Sequence, residues 1–314
     1  MSLKISLLAA IVGTAAFNAG PQFSCNSTAP SPELLALHKK LGEEKHNMKR
    51  DELSGHIDVG IYIHVVASNF TATGGWLDVC TSQKYSTGTV LLTRQQDTTI
   101  QKQMEVLNAG FAPSNISFSV QGVDKTINSS WTSGSEQLTM KRALHRGDYR
   151  VLNLYFLPNF RFAGECFFPN MNNILNPLTT DDLVRDGCTI RSNTVPGGPA
   201  PYDMGKTAVH EVGHWFGLLH TFSGGCDEVA GDYISDTPAQ KNATDEHLGD
   251  GCPIGRDSCP ELPGLDPIHN YMDYSSDKCY TEFTPEQKKR MKQLWKLIRF
   301  GTIRSSSAVN LTTT

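Results

Sequence analysis

His210-Glu211-Val212-Gly213-His214-Trp215-Phe216-Gly217-Leu218-Leu219-His220 is the stretch on which the reading of this chain turns. Two histidines four residues apart share one face of a helix, so both imidazoles reach a single metal ion. Glu211 follows the first of them and can contact a metal-bound water without itself ligating. Gly217 admits a backbone conformation closed to other residues, so the helix ends there and the chain turns sharply. That turn brings His220 back as a third ligand. Three neutral imidazoles leave a fourth position for water, the arrangement of a catalytic zinc site rather than a structural one. A bare HExxH arises by accident on amphipathic helices, whereas the long form HExxHxxGxxH is far rarer. About fifty residues downstream comes Asn270-Tyr271-Met272-Asp273-Tyr274, where Met272 gains weight from its place after the zinc signature.

The surrounding composition is that of an ordinary globular protein: 314 residues, 39% hydrophobic and 19% charged, with Gly 27 and Pro 16. The length suits one large or two medium domains. A formal net charge of −4 argues against a dedicated nucleic-acid binder, which carries a basic excess. The long apolar run, Ile5 to Phe17, follows a Lys and precedes small residues, the layout of a secretory signal peptide over 1–19. Beyond it no membrane span and no lipid-anchor tail is expected. Six sequons, at Asn26, Asn69, Asn115, Asn128, Asn242 and Asn310, agree with export and predict a glycoprotein. In an oxidising compartment the eight cysteines read as disulfides. A secreted monomer without nucleic-acid or membrane partners is expected.

The pattern along the chain predicts an α+β fold. Residues 20–55 form a polar leader in which Ser31-Pro32-Glu33 can start a short helix. It ends near Met48-Lys49-Arg50, and reads either as a solvated surface segment or as a propeptide trimmed after Arg50. Ile57, Val59, Ile61, Ile63 and Val65 alternate as a half-buried strand. Ile100, Met104, Leu107 and Phe111 follow at helical spacing. Ile116, Phe118 and Val120 alternate again, and Val151 to Leu157 is an apolar run of strand length. A Gly/Thr-rich insertion between Asn69 and Gln95 carries Cys80.

These elements imply a mixed twisted sheet with backing and active-site helices in a first subdomain, about 56–220. A loop-rich, disulfide-stapled second subdomain, about 221–300, closes the catalytic domain 56–300. It ends in a helix opened by the capping box Thr284-Pro285-Glu286-Gln287. Met291, Leu294, Trp295 and Ile298 form the helix's apolar stripe, and Lys288, Lys289, Lys292, Lys296 and Arg299 its opposite, solvated face. Residues 301–314 read as a flexible tail.

Cys226, Cys252, Cys259 and Cys279 lie in the second subdomain and suggest two bridges whose pairing stays open. Cys166 and Cys188 flank a short insertion and are expected to pair. Cys25 and Cys80 remain: they bridge, which parity favours, or Cys25 is lost or inhibitory and Cys80 is free.

The long zinc motif together with Met272 resembles the metzincin metalloproteases. Within them the chain looks like the pappalysin-like secreted metalloproteases of filamentous fungi. The likeness is carried by KTAVHEVGHWFGLLHTFSGGC, GDYISDTPA, GCPIGRDSCP and DPIHNYMDYSSDKCYTEFTPEQ, about Lys206 to Gln287, and extends upstream through GCTIRSNTVPGG and VLNLYFLPNF to about Val151. The resemblance implies a metzincin-like fold with His210, His214 and His220 holding one catalytic zinc. It implies Glu211 as general base and acid, Met272 as the apolar floor beneath the metal, and Tyr274 as a switchable ligand or oxyanion stabiliser. It further suggests Asp277 in the pocket for the residue after the cut bond, favouring Arg or Lys there. Asp232, Ser235, Asp236 and Thr237 become calcium donors, and Cys25 a thiolate that blocks zinc, although Phe23-Ser24-Cys25-Asn26 departs from the usual Arg-x-Cys-Gly pattern.

The implied activity is zinc-dependent hydrolysis of peptide bonds in proteins or peptides, with Glu211 taking the proton of the attacking water. An extended substrate would pair with an edge strand around Cys188 to Asn193. A catalytically inactive zinc-binding module and a surface-binding adhesin are the alternatives. Intact Glu211 speaks against the first, and the zinc signature against the second.

Overall fold

The alternating run from Ile57 builds the central strand of the structure, a computed structural model that describes residues 24–27, 29–43, 55–77, 98–175, 178–227, 231–245 and 251–301. The expected signal peptide, Arg50, Cys80, Asn310 and the tail after 301 lie outside the described residues. In chain order the helices and strands are α1 Pro32–Glu43, β1 Ile57–Ala67, α2 Thr99–Phe111, β2 Ile116–Ile127, α3 Gln137–Leu144 and β3 Leu152–Leu157. There follow β4 Gly164–Cys166, α4 Asn172–Leu175, α5 Thr180–Arg185, β5 Cys188–Arg191, α6 Lys206–Trp215 and α7 Pro285–Leu294.

The sheet order is β2-β1-β3-β5-β4. β1 pairs in parallel with β2 and β3, and β3 in parallel with β5, while β4 runs antiparallel to β5. β1 alternates buried and open positions only as far as Ile63; from His64 onward both faces are covered. The second face is closed by Met140 and Leu144 of α3, which pack with Val66, Tyr155, Leu157 and Phe160. The first face carries the main core, where Leu107 and Phe111 of α2 meet Val209 and Val212 of α6. Asn108 accepts from the Phe118 amide at 2.8 Å and donates to its carbonyl at 3.2 Å, clipping α2 to β2.

Three expectations are corrected here. Val120 is 45% exposed rather than buried: β2 is an edge strand, and its register with β1 breaks just after Val120, where Gln121 is left unpaired between Ile61 and Tyr62 of β1. The edge for an extended ligand is β4, since β5 lies between β3 and β4, and Ser192–Thr194 is a 3-10 turn. Arg299 is buried, not solvated. A π turn over Trp295–Arg299 after α7 swings it inward, where it pairs with Asp186 and donates to the Trp215 carbonyl at the end of α6.

The second subdomain is stapled as Cys226–Cys259 and Cys252–Cys279, and Cys166–Cys188 ties β4 to β5. Cys25 carries no disulfide, so the favoured bridge to Cys80 gives way. The leader is packed as well: Leu34 and Leu41 of α1 join Leu294 and Ile298 in one apolar cluster, and His38 is buried against Arg290. Thr284 and Gln287 form the expected capping box of α7.

Candidate active site

Helix α6 puts His210 and His214 on one face, and Gly217 ends it as anticipated, at φ +97°. The Gly217 and Leu218 amides close the turn on the carbonyls of His214 and Gly213, and the chain returns His220 to the same point. Nδ1 of His210 lies 2.6 Å from the Tyr271 carbonyl, and Nδ1 of His214 lies 2.7 Å from the Leu218 carbonyl. Carbonyls only accept, so both rings spend their proton there and present bare Nε2 atoms inward. Those atoms are 3.2 Å apart, and Nε2 of His220 is 3.0 Å from that of His214.

Two lone pairs at that distance repel, and a cation between them relieves the repulsion. The donor set therefore fits a metal. Burial lowers His210 to about 4 and holds His214 and His220 well below the usual imidazole value, with the neighbouring rings adding to the shift in the last two. Neutral imidazoles are the form that ligates.

Glu211 lies on the same helix, fully buried. Its Oε2 is 3.4 Å from both the Cys25 thiol and the Ser27 hydroxyl, while Oε1 has no hydrogen-bond partner among the described residues. Burial pushes this carboxyl up to about 8. Two glycines make room in the site, one for Glu211 and one for Met272. A Cβ on Gly164 of β4 would strike the Glu211 carboxylate, and one on Gly213 would strike Sδ of Met272. Met272 is thus pressed against α6 beneath the histidines, and its carbonyl accepts from the Thr221 amide.

Tyr274 packs its ring on His210 and His220, with centroids 5.6 and 5.0 Å away. Its hydroxyl lies 3.2 Å from the Cys25 amide and 3.3 Å from the Cys25 carbonyl. The Cys25 sulfur and the three inward ring nitrogens all fall within 4.8 Å of one another. Burial and the Glu211 carboxylate push the thiol well above its ordinary value. Leader residues reach the site by adding to the β4 edge: Asn26 donates to the Gly164 carbonyl at 3.0 Å and Ala163 donates to the Ser24 carbonyl at 3.0 Å.

Asp277 is buried against the start of α6. Its Oδ2 accepts from the amides of Met204 (2.8 Å) and Lys206 (3.3 Å), while Oδ1 has no hydrogen-bond partner among the described residues. Burial raises it to about 6. The four expected calcium donors, Asp232, Ser235, Asp236 and Thr237, line one cavity. Asp236 is committed to α7, accepting from the Thr284 hydroxyl at 2.6 Å and the Glu286 amide at 2.9 Å. Ser235 is exposed, whereas Asp232 is buried and Thr237 half-buried. Burial raises Asp232 to about 8. Asn69, Asn115 and Asn242 are exposed, and Asn128 half-buried. Gly164, Gly213, Ser27 and Glu165 escaped the sequence reading, because no motif marks a residue that matters through its missing side chain or through a strand edge.

The profile of peptidase family M43, described as pregnancy-associated plasma protein-A, matches residues 198–296. An extracellular metalloprotease of Podospora anserina is 44% identical over 94% of this chain and 97% of its own. The chain belongs to the pappalysin metalloprotease family, M43. An extracellular metalloprotease of Pyricularia oryzae is also 44% identical, over 89% of this chain and 91% of its own. The fold of this M43 protease is that of mature mirolysin from Tannerella forsythia, solved with a cleaved peptide. The TM-score is 0.58 at 24% identity, covering 81% of this chain and 100% of that one. This pappalysin is an extracellular metalloendopeptidase acting on protein or peptide substrates. Among the described residues no helix is long and apolar enough to cross a membrane.

Proposed function

We propose that this M43 protease is a zinc endopeptidase in which His210, His214 and His220 hold one catalytic zinc and Glu211 moves the protons. The observation that carries the reading is the meeting of three inward Nε2 atoms beside a buried carboxylate. When bound, zinc acidifies a water and polarises the scissile carbonyl. Glu211 takes the proton of the attacking water on its open Oε1 and passes it to the leaving amine. Tyr274 directs its hydroxyl to the peptide group lying over the histidines, and so serves as donor to the developing oxyanion. Met272, pressed on Gly213, holds the floor of the site.

Finer assignments complete the proposal. Asp277 selects Arg or Lys after the cut bond, its Oδ1 being open and its Oδ2 tied down. The leader over 20–55, following a signal peptide over 1–19, is a propeptide released by cleavage after Arg50. Before release Cys25 would join the three histidines in holding the metal. Asp232, Ser235, Asp236 and Thr237, which line one cavity, are the calcium donors, and the sequons at Asn69, Asn115, Asn128 and Asn242 are the glycan acceptors. The protease works as a monomer.

The test is a mass-spectrometric map of cuts in a denatured proteome. It compares the leader-free protein, the same protein with a zinc chelator, and a Glu211→Ala variant. The expected result is a set of chelator-sensitive cuts absent from the variant and enriched in Arg or Lys after the cut. A zinc-loaded sample that makes no cut overturns the reading, and cuts without that bias remove the role of Asp277.

A further inference from the structure

The leader does more than reach the metal: it shows how a side chain docks beside it. Cys25 and Gly164 form a parallel bridge, and on the face they share lies Glu211. One residue further along both strands, Asn26 and Glu165 turn to the opposite face, as strand alternation requires. There the Asn26 amide donates to Oε1 of Glu165 at 3.2 Å. Glu165 is 7% exposed with the leader in place.

Its other oxygen is held from behind. The Thr189 hydroxyl of β5 donates to Oε1 of Gln137 at 3.4 Å, which turns the Gln137 amide nitrogen toward Oε2 of Glu165, 2.5 Å away. Lys141, buried on the same helix, feels the Glu165 charge but spends its ammonium on the Arg185 carbonyl. The carboxylate is thus oriented by the scaffold on one oxygen and meets only a leader side chain on the other. Departure of the leader leaves Oε1 facing the cleft.

The cleft's polarity follows from its neighbours. Tyr202 packs with Ala163 and Tyr274, and Asp277 donates its amide to the Pro201 carbonyl, so the Asp277 pocket lies toward the Ala163 end of β4. Glu165 lies toward the other end, and an extended substrate on this edge meets it with a residue that precedes the cut bond.

We propose that Glu165 is a specificity residue of this protease, selecting an N–H-donating side chain (Lys, Arg, Asn or Gln) at one position before the cut, with the leader's Asn26 as the resident mimic. A neutral amide donor already fits, and a cation gains the charge as well. This rests on the endopeptidase reading.

The experiment uses leader-free protein and peptide pairs that differ only by Lys or Leu at each of the three positions before the cut. It compares wild type with Glu165→Gln, checking that both melt alike. The expected result is a Lys-over-Leu preference in kcat/KM at one position, falling about tenfold in Glu165→Gln. Absence of any such preference, or an equal preference in both proteins, overturns the proposal while leaving the endopeptidase standing. No chelator-sensitive cut of any peptide overturns both. A second measurement does not depend on turnover: a leader peptide spanning 24–43 binds wild type about tenfold more tightly than its Asn26→Leu form. That difference vanishes on Glu165→Gln, and an undiminished difference contradicts the pairing.

Discussion

The thiol of Cys25 lies 3.4 Å from Oε2 of Glu211, and its sulfur shares a 4.8 Å cluster with the ring nitrogens of His210, His214 and His220. One side chain of the leader therefore touches both the proton-transfer group and the metal's donor set. The full-length chain should be latent. Cys25→Ala is expected to raise the activity of the leader-bearing protein by about tenfold or more, because a thiolate at the fourth position excludes water. Peptide turnover before and after leader release checks this. Equal activity of wild type and variant while the leader is attached would contradict it.

Burial raises Asp277 to about 6, the Met204 and Lys206 amides and the Lys206 charge pulling it down and Asp203 adding to the rise. A carboxyl with a raised value is neutral below it and charged above it, so selection of Arg or Lys is present above about pH 6 and fades below. An exposed aspartate would keep its charge down to about pH 4. The Arg-over-Leu ratio of kcat/KM is expected to fall about tenfold between about pH 7 and about pH 5. Asp277→Asn should make that ratio flat across the same range, and a flat ratio in wild type would remove Asp277 from the pocket.

Gly213 faces Sδ of Met272 across the base of α6, and an added Cβ would collide with it. Gly213→Ala is expected to cost about 1–3 kcal/mol, as overpacking does. Pairing it with Met272→Ala should recover about 1 kcal/mol through relief of the clash. Urea unfolding of the four proteins measures the coupling. Strict additivity would mean that the methionine does not press on the helix.

Arg299 forms two 3.0 Å contacts with Asp186 and also donates to the carbonyls of Trp215 and Tyr149. Asp186 accepts the Trp215 indole as well, at 2.9 Å, so the network fastens the end of α6. Arg299→Met leaves a buried carboxylate without its cation and is expected to cost about 3–5 kcal/mol. Adding Asp186→Asn should return part of that loss. A loss under about 1 kcal/mol for Arg299→Met would show the pair to be incidental.

What was legible in the sequence was local. His210, His214 and Gly217 are tied by the helical period and one glycine turn, and Thr284 to Gln287 by a capping box, so spacing alone places them. The strand at Ile57 and the helix at Ile100 were likewise carried by periodicity. What failed depended on distant partners. Nothing local says that β4 folds back to cover β5, so the pattern alone makes β5 an edge. An ideal helix extended through Arg299 points it to solvent, whereas the π turn rotates it inward. The capping of α7 by Asp236 is invisible locally because it spans 48 residues of chain. Cys25 looked like a bridge partner on parity alone, whereas the leader's pairing with Gly164 brings it to the histidines.

The account stands most directly on one measurement: hydrolysis by leader-free, metal-stripped protein as zinc is added back. Activity should start from near zero, rise in proportion to zinc, and level off at one ion per chain, with Glu211→Ala binding the same single ion and remaining inactive. Full activity in the stripped protein, or zinc bound with no turnover by wild type, would contradict it.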